Sequence, residues 1–311
     1  MDLPRVYRSA LDGKYYKQPK SGVFEAAGVV MPSDIADIEA VTILDEVLGL
    51  ARVQYKLRPL CRPVRMDKLT ARVDIATSLT GQEKVPPMVE AEIAAEAYTS
   101  ADFDLWKNVV HVVISDEAGK KAAHDILGLH VSDAARDLAR MENKQVAEEL
   151  ETATEKVSGT VYSDWGAATS GVSDTNPMLA IQASIAYIAG KGYPPDFMAM
   201  HPTIWSKFIT NTWIGELVHQ GILRLAPTGG NFTLPGWPTI EILVDWSLTE
   251  TPTSTKGPIV GSRPAPAMIL GDGPTEAAKY RDEKAGYDAY IIRQWLEPML
   301  VLDDAIDMIC T

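Results

Sequence analysis

SDEAGKKAAHDILGLHVSDAARDLARMENKQVAEEL, residues 115–150, is the longest helical pattern in the chain. Leu127, Val131, Ala134, Leu138 and Met141 recur at spacings of four and three, with Gln145 next in phase, and draw one apolar stripe. Ser115 reads as an N-cap, and Asp116 and Glu117 fall in a first turn, where the helix dipole favours acids. Gly119 and Gly128 weaken the pattern, but the stripe keeps its phase past Gly128. The pattern predicts one helix from about Asp125 to Leu150, preceded by a shorter one from Ser115. At 1.5 Å per residue the long piece spans roughly 39 Å, enough to act as a strut for what surrounds it.

A chain of 311 residues is long enough to bury a sizeable core. Its formal net charge of −13 argues against general binding of nucleic acid through phosphate contacts. Cys61 and Cys310 lie far apart and suggest neither a disulfide framework nor a CxxC metal site. No apolar run is long enough to span a membrane, and the charged N-terminal stretch has no signal-peptide core.

Outward from the helix, the chain changes character several times. Residues 1–32 read as an extended, irregular arm, with prolines and glycines breaking any period and Arg5, Arg8, Lys14, Lys17 and Lys20 outweighing Asp2 and Asp12. Ser33 caps a helix with Ile35, Ile38, Val41, Ile43, Leu44, Val47, Leu48 and Ala51 on its apolar side. From Arg52 to Ile114 the pattern is strand-like, with a basic first half (Arg52, Lys56, Arg58, Arg62, Arg65, Lys68, Arg72). The second half is acidic (Asp74, Glu83, Glu90, Glu92, Glu96, Asp102, Asp104), although Lys84 sits at the tip. A two-stranded excursion with opposite charges on its arms can be knitted by cross-strand pairs. It is too long to be stable without something to lie on. FDLWKNVVHVVIS (103–115) returns from it as a strand into the long helix.

Beyond a loose segment from Glu151 to Thr175, Asn176 caps a helix with Pro177 at its first position and Leu179, Ile181, Ile185 and Ile188 on its apolar side. PPDFMAMHP (194–202) reads as a buried strand, Thr203–Asn211 as a helix, and WPTIEILVDW (237–246) as another strand. Together they predict a compact α/β domain, followed by a polar linker at 248–258. PAMILGD (266–272), YDAYIIRQWLEPMLVL (287–302) and AIDMIC (305–310) then return as strands expected to form a sheet for the long helix.

No catalytic constellation emerges. His111, His124, His130, His201 and His219 make no HExxH or comparable ligand pair, and His111 alternates with apolar residues in a strand. Asp303, Asp304 and Asp307 read as a solvated turn. PTGGNF (227–232) lacks the lysine and spacing of a P-loop, and GDG (271–273) reads as a turn between strands. There is no GxSxG. Neither a metal nor a cofactor is expected.

The order of elements, with VVISDEA (112–118) entering the spine helix and NPMLAIQASIAYIAGKGYPPDFMAMHPTIWSKF (176–208) following it, resembles the major capsid proteins of tailed double-stranded DNA viruses. The resemblance implies an α+β fold of the Hong Kong 97 type. Its parts would be an N-arm (1–32), an N-terminal helix and entry (33–57), an E-loop (58–114), a spine helix (115–154), an axial domain (155–258) and return strands of the peripheral domain (259–311). It implies a subunit, not an enzyme, that self-assembles as hexamers and pentamers into an icosahedral shell around viral DNA without sequence-specific binding. Portal, scaffolding and cement proteins would be partners, membranes would not, and the place would be the virion, assembled in host cytoplasm. Little chain precedes the first helix, so scaffolding is expected to be separate, dispensable or removed.

Subunit contacts are expected at Arg5, Arg8, Lys14, Arg58, Arg62, Arg65, Glu83, Lys84, Glu90 and Glu92. Some relatives cross-link an E-loop lysine to a peripheral-domain asparagine. No asparagine follows Arg263, so no such cross-link is expected here. The alternatives are an encapsulin-like nanocompartment shell protein and, in a different class, a soluble α/β enzyme with a spatially assembled site.

Overall fold

The computed structural model describes residues 6–8, 15–17, 32–76, 98–115, 126–154, 165–166, 176–221, 230–232, 239–265, 267–284 and 286–310. The first half of the chain forms β1 (Val6–Arg8), β2 (Tyr15–Lys17), α1 (Pro32–Arg52), β3 (Cys61–Arg65), β4 (Thr70–Ala76), β5 (Tyr98–Asp104), β6 (Trp106–Ser115) and α2 (Ile126–Leu150). Then come α3 (Pro177–Gly190), β7 (Phe197–Met200), α4 (Pro202–Thr210), α5 (Thr212–His219), β8 (Gly230–Phe232) and β9 (Ile240–Val244). β10 (Ile259–Gly261), β11 (Met268–Asp282), β12 (Tyr287–Leu300) and β13 (Ile306–Met308) complete the chain. It divides into two compact units, one of residues 1–52, 109–137 and 275–293, the other of 53–108, 138–274 and 294–311.

The spine helix α2 starts one residue from its expected position. Ser115 is the last residue of β6, and the shorter helix expected to start from it falls outside the described residues. The buried face of α2 is also wider than the stripe. Val131, Ala134, Ala135, Leu138, Ala139, Val146, Ala147 and Leu150 are buried, and so are Glu142 and Asn143. Steps of four from Leu138 lead to 142, 146 and 150. Met141 and Gln145, the expected continuation, lie half-buried at its margin.

In the second unit a five-stranded sheet runs β13-β10-β7-β9-β8, with β7 parallel to β9 and antiparallel to β10. All four residues of β7 are buried, as expected of a strand covered on both faces. Its alternation separates two cores. Phe197 and Ala199 join Val146, Leu150, Leu270, Leu296, Ile306 and Met308. Met198 and Met200 join Ile181, Ile188, Ile204, Phe208 and Trp165 on the side of α3, α4 and α5. Two expectations are corrected here. β13 belongs to this sheet and not with the other return strands, and β10, whose three residues carry no periodic signal, lies in the same sheet between β13 and β7.

Local chemistry sets the helices around that sheet. The Asn176 side chain accepts from the Met178 amide at 3.0 Å, with Pro177 at N1 as read from the sequence. Asn211 ends α4 and restarts the chain as α5, an element the sequence reading missed. Its Oδ1 accepts from the Trp213 amide at 3.0 Å and its amide group donates to the Trp165 carbonyl at 2.7 Å. Leu179, expected on the apolar side of α3, is exposed, and Ala180 and Ser184 are buried in its place.

A four-stranded sheet runs β3-β11-β12-β6, with β3 parallel to β11 from Cys61↔Met268 to Arg65↔Asp272. GDG is not a turn, because β11 runs straight through it. A Cβ on Gly271 would stand 3.0 Å from the Leu105 side chain, and one on Gly273 would stand 2.7 Å from it. The glycines answer to side chains pressed over the strand.

At Gly257 the obstacle is backbone: an added Cβ would lie 2.0 Å from the Ile309 carbonyl oxygen. Gly257→Ala is therefore expected to lose about 1–3 kcal/mol in urea unfolding of the protein. Gly190→Ala, where the Cβ meets nothing, should stay within about 0.5 kcal/mol.

Candidate assembly surface

β4 and β5 pair over seven residues, Thr70↔Asp104 to Ala76↔Tyr98, and make a two-stranded sheet separate from the other sheets. Its root is anchored: Phe103 is fully buried with Met66, Leu105 and Ile269, and Ala71 packs against them. One expected cross-strand charge pair is present. Arg72 and Asp102 stand directly opposite, Nε to Oδ1 at 3.8 Å, and Arg72 also donates to the Ser100 hydroxyl. Both charged side chains are mostly exposed, so this pair contributes at most about 1 kcal/mol and sets register more than stability.

The expected contact residues are placed unequally. Arg62 and Arg65 lie exposed on β3, the edge of the four-stranded sheet. Arg5 and Lys14 lie outside the described residues, as do Glu83, Lys84, Glu90 and Glu92. Arg8 ends β1, whose pairing with β2 corrects the reading of the arm as wholly irregular. Short three-residue strands carry too little alternation to be read from sequence.

Arg58 is engaged within its own chain. Nη1 donates to both oxygens of Glu142 at 2.9 and 3.1 Å, and Nη2 donates to Asp272 Oδ2 at 2.8 Å. Gln294 Nε2 donates to Glu142 at 3.1 Å, and the guanidinium lies 5.2 Å from the Tyr55 ring centre. Beside Glu142, Asn143 Oδ1 accepts from the amides of Lys56 and Leu57, and its own amide group donates to the Gln54 carbonyl. Two adjacent polar residues on α2 thus hold segment 54–58, which leads into β3 and the hairpin. Sequence reasoning passed over them because buried polar groups look like surface groups until their partners are known.

Burial raises the Glu142 carboxyl, against the pull of Arg58 and the Gln294 hydrogen bond. Burial, aided by Glu142, pushes the Tyr55 hydroxyl up to about 12, and burial pushes the Cys61 thiol up to about 12. A carboxyl raised on folding makes the folded state the better proton binder. It therefore weakens the fold as pH rises from the ordinary carboxylate range through its raised value. Wild type should gain stability relative to Glu142→Gln as pH falls from neutrality towards the ordinary carboxylate range, read by urea unfolding. A flat difference would show that Arg58 cancels the effect of burial.

The other sequence candidates have structural duties. Asp303 accepts from the Thr154 amide at 3.0 Å and from its hydroxyl, and Asp304 pairs with Lys191 at 2.8 Å. His201 Nδ1 accepts from the Thr203 amide at the start of α4. His111 lies 2.9 Å from the Tyr280 hydroxyl. Among the described residues no three His, Cys, Asp or Glu side chains are grouped to hold a metal, and no helix is long and apolar enough to cross a membrane.

No protein-family model matches the sequence, and no curated protein matches it. Solved structures do match. A virus-like particle from Pyrococcus furiosus aligns with a TM-score of 0.58 at 11% identity, covering 86% of this chain and 98% of that one. The capsid of the cyanophage P-SCSP1u gives 0.57 at 15% identity, over 80% and 85% of the two chains. The capsid of a native GTA particle gives 0.56 at 13% identity, over 82% and 89%. At such identities the likeness is one of fold.

Proposed function

We propose that this chain, which has the Hong Kong 97-type fold shared with those particle subunits, is a major capsid protein that assembles into an icosahedral shell around viral double-stranded DNA. The observation that carries the reading is the β4–β5 hairpin, a two-stranded sheet of its own whose root packs into a core at Phe103 and Ala71. An isolated two-stranded ribbon is marginal in water. A neighbouring copy supplies the surface that makes it stable.

In this reading residues 1–32 are the N-arm and the hairpin with its tip is the E-loop. Residues 155–258, with β10 and β13 added to their sheet, form the axial domain, and the α2 and β11–β12 region forms the peripheral domain. Hexamers and pentamers of the chain close the shell, portal, scaffolding and cement proteins act on it, and the virion is its place. The net charge of −13 favours a lining that releases DNA instead of gripping it.

Negative-stain microscopy of the purified chain tests this. Closed particles some hundreds of ångströms across are expected, and small uniform oligomers at every concentration would overturn it. Packaged DNA in native particles separates this reading from a nanocompartment, whose particles would carry an enzyme as cargo.

A further inference from the structure

The two edges of the four-stranded sheet are built differently. β3 is five residues long, with Pro63 at its centre and Arg62 and Arg65 exposed, the devices by which a sheet edge refuses another strand. β6, at the other edge, is ten residues long, WKNVVHVVIS, with no proline, no glycine and Lys107 as its one lysine. Among the described residues β12 is its only strand partner, so its outer row of backbone amides and carbonyls points away from the sheet. Val112 is buried, whereas Val109 and Val113 on the opposite face are 42% and 43% exposed. Between them His111 is drawn back over β12 by the Tyr280 hydroxyl on β11, 2.9 Å from Nε2, which leaves the outer side of the strand clear. A long apolar edge with none of the protections of β3 is a template for main-chain pairing.

We propose that β6 pairs antiparallel with β6 of a second copy, about a two-fold axis at His111. The side-chain order of the strand selects both the occupant and the register. Residues directly opposite in an antiparallel pair share a face, so the axis must fall on a residue and not between two. With the axis at His111, each Val109 stands opposite Val113 of the second copy, and Val110 opposite Val112. Lys107 then meets Ser115, and the exposed valines of both copies are covered. An axis at Val110 would set Lys107 against Val113, and an axis at Val112 would set His111 against it. The strand is thus its own complement in one register, which is what a contact between identical surfaces requires. The inference does not rest on the shell reading, because such a pair can stand inside a shell or alone.

The test uses full-length chains, each with one added cysteine. The native Cys61 and Cys310 are buried. Val109→Cys and Val113→Cys proteins are treated with oxidised glutathione, each alone and as a mixture. Opposed residues have Cα atoms about 4.5–5.5 Å apart, within disulfide reach, whereas the two copies of residue 109 are separated by roughly 13 Å along the strands. At least tenfold more covalent dimer is expected from the mixture than from either variant alone. Equal yields would overturn the pairing. Independently, Val113→Lys, which adds the charge that blunts an edge, should keep wild-type circular dichroism and melting while the dissociation constant of the pair in sedimentation rises at least tenfold. Unchanged association of that variant would overturn the proposal. Particles without a 109–113 bond would end this inference and leave the shell reading standing, and 109–113 dimers that never form particles would do the reverse.

Discussion

Leu138→Asp is expected to leave almost no soluble protein. Leu138 is fully buried on α2, where the helix enters the second unit, and Ala134 and Ala135 one turn before it and Ala139 next to it are buried too. A carboxylate buried there must either stay charged out of water or take up a proton. Both routes, with the lost leucine packing, cost upwards of about 4 kcal/mol. That approaches the whole stability of a typical domain. The soluble fraction after lysis and the far-ultraviolet dichroism of what remains check it. Asp137→Asn, one residue away on the exposed side, should change stability by less than about 0.5 kcal/mol. Normal particles from Leu138→Asp would mean the face is not buried.

Arg58→Met is the second large effect. Removing the guanidinium strands Glu142, whose side chain is fully buried, with Gln294 as its remaining donor, and takes a partner from Asp272. Breaking one side of such a pair costs about 3–5 kcal/mol. Arg58→Met with Glu142→Gln should recover part of the loss, because the stranded charge is gone; a double-mutant cycle in urea measures it. This experiment also separates the two roles read for Arg58. A contact residue between subunits would lose particles while keeping a stable subunit. An internal anchor loses subunit stability before assembly begins.

Where a residue's role depends on its near neighbours in sequence, the sequence revealed it. The bounds of α2, the Asn176 cap with Pro177 behind it, the buried β7 and the hairpin between 70 and 104 all follow from periods and caps a few residues long. What stayed hidden depends on residues far away. Glu142 reads as a surface acid until Arg58 and Gln294 are brought to it from 84 and 152 residues away. Gly271 and Gly273 read as a turn until Phe103, Leu105 and Trp295 press on them. β10 and β13 are too short to show alternation, and their sheet is chosen by the partners β7 and β10 offer. For the assembly surface, sequence charge located the hairpin but could not tell Arg58, turned inward, from Arg62 and Arg65, left on an edge strand.

The parallel pairing of β3 with β11 joins Cys61 to Met268, and β13 completes a core begun at Leu57 and Leu60. Such distant pairings form late, because the loop between them must be closed before any contact rewards it. On the ribosome, the segment that carries the hairpin has no sheet to attach to until residues near 270 have emerged, and its core stays open until about residue 308. A chain broken off during synthesis therefore lacks a finished core, and on the capsid reading proposed above it would have no complete body to bring into a shell.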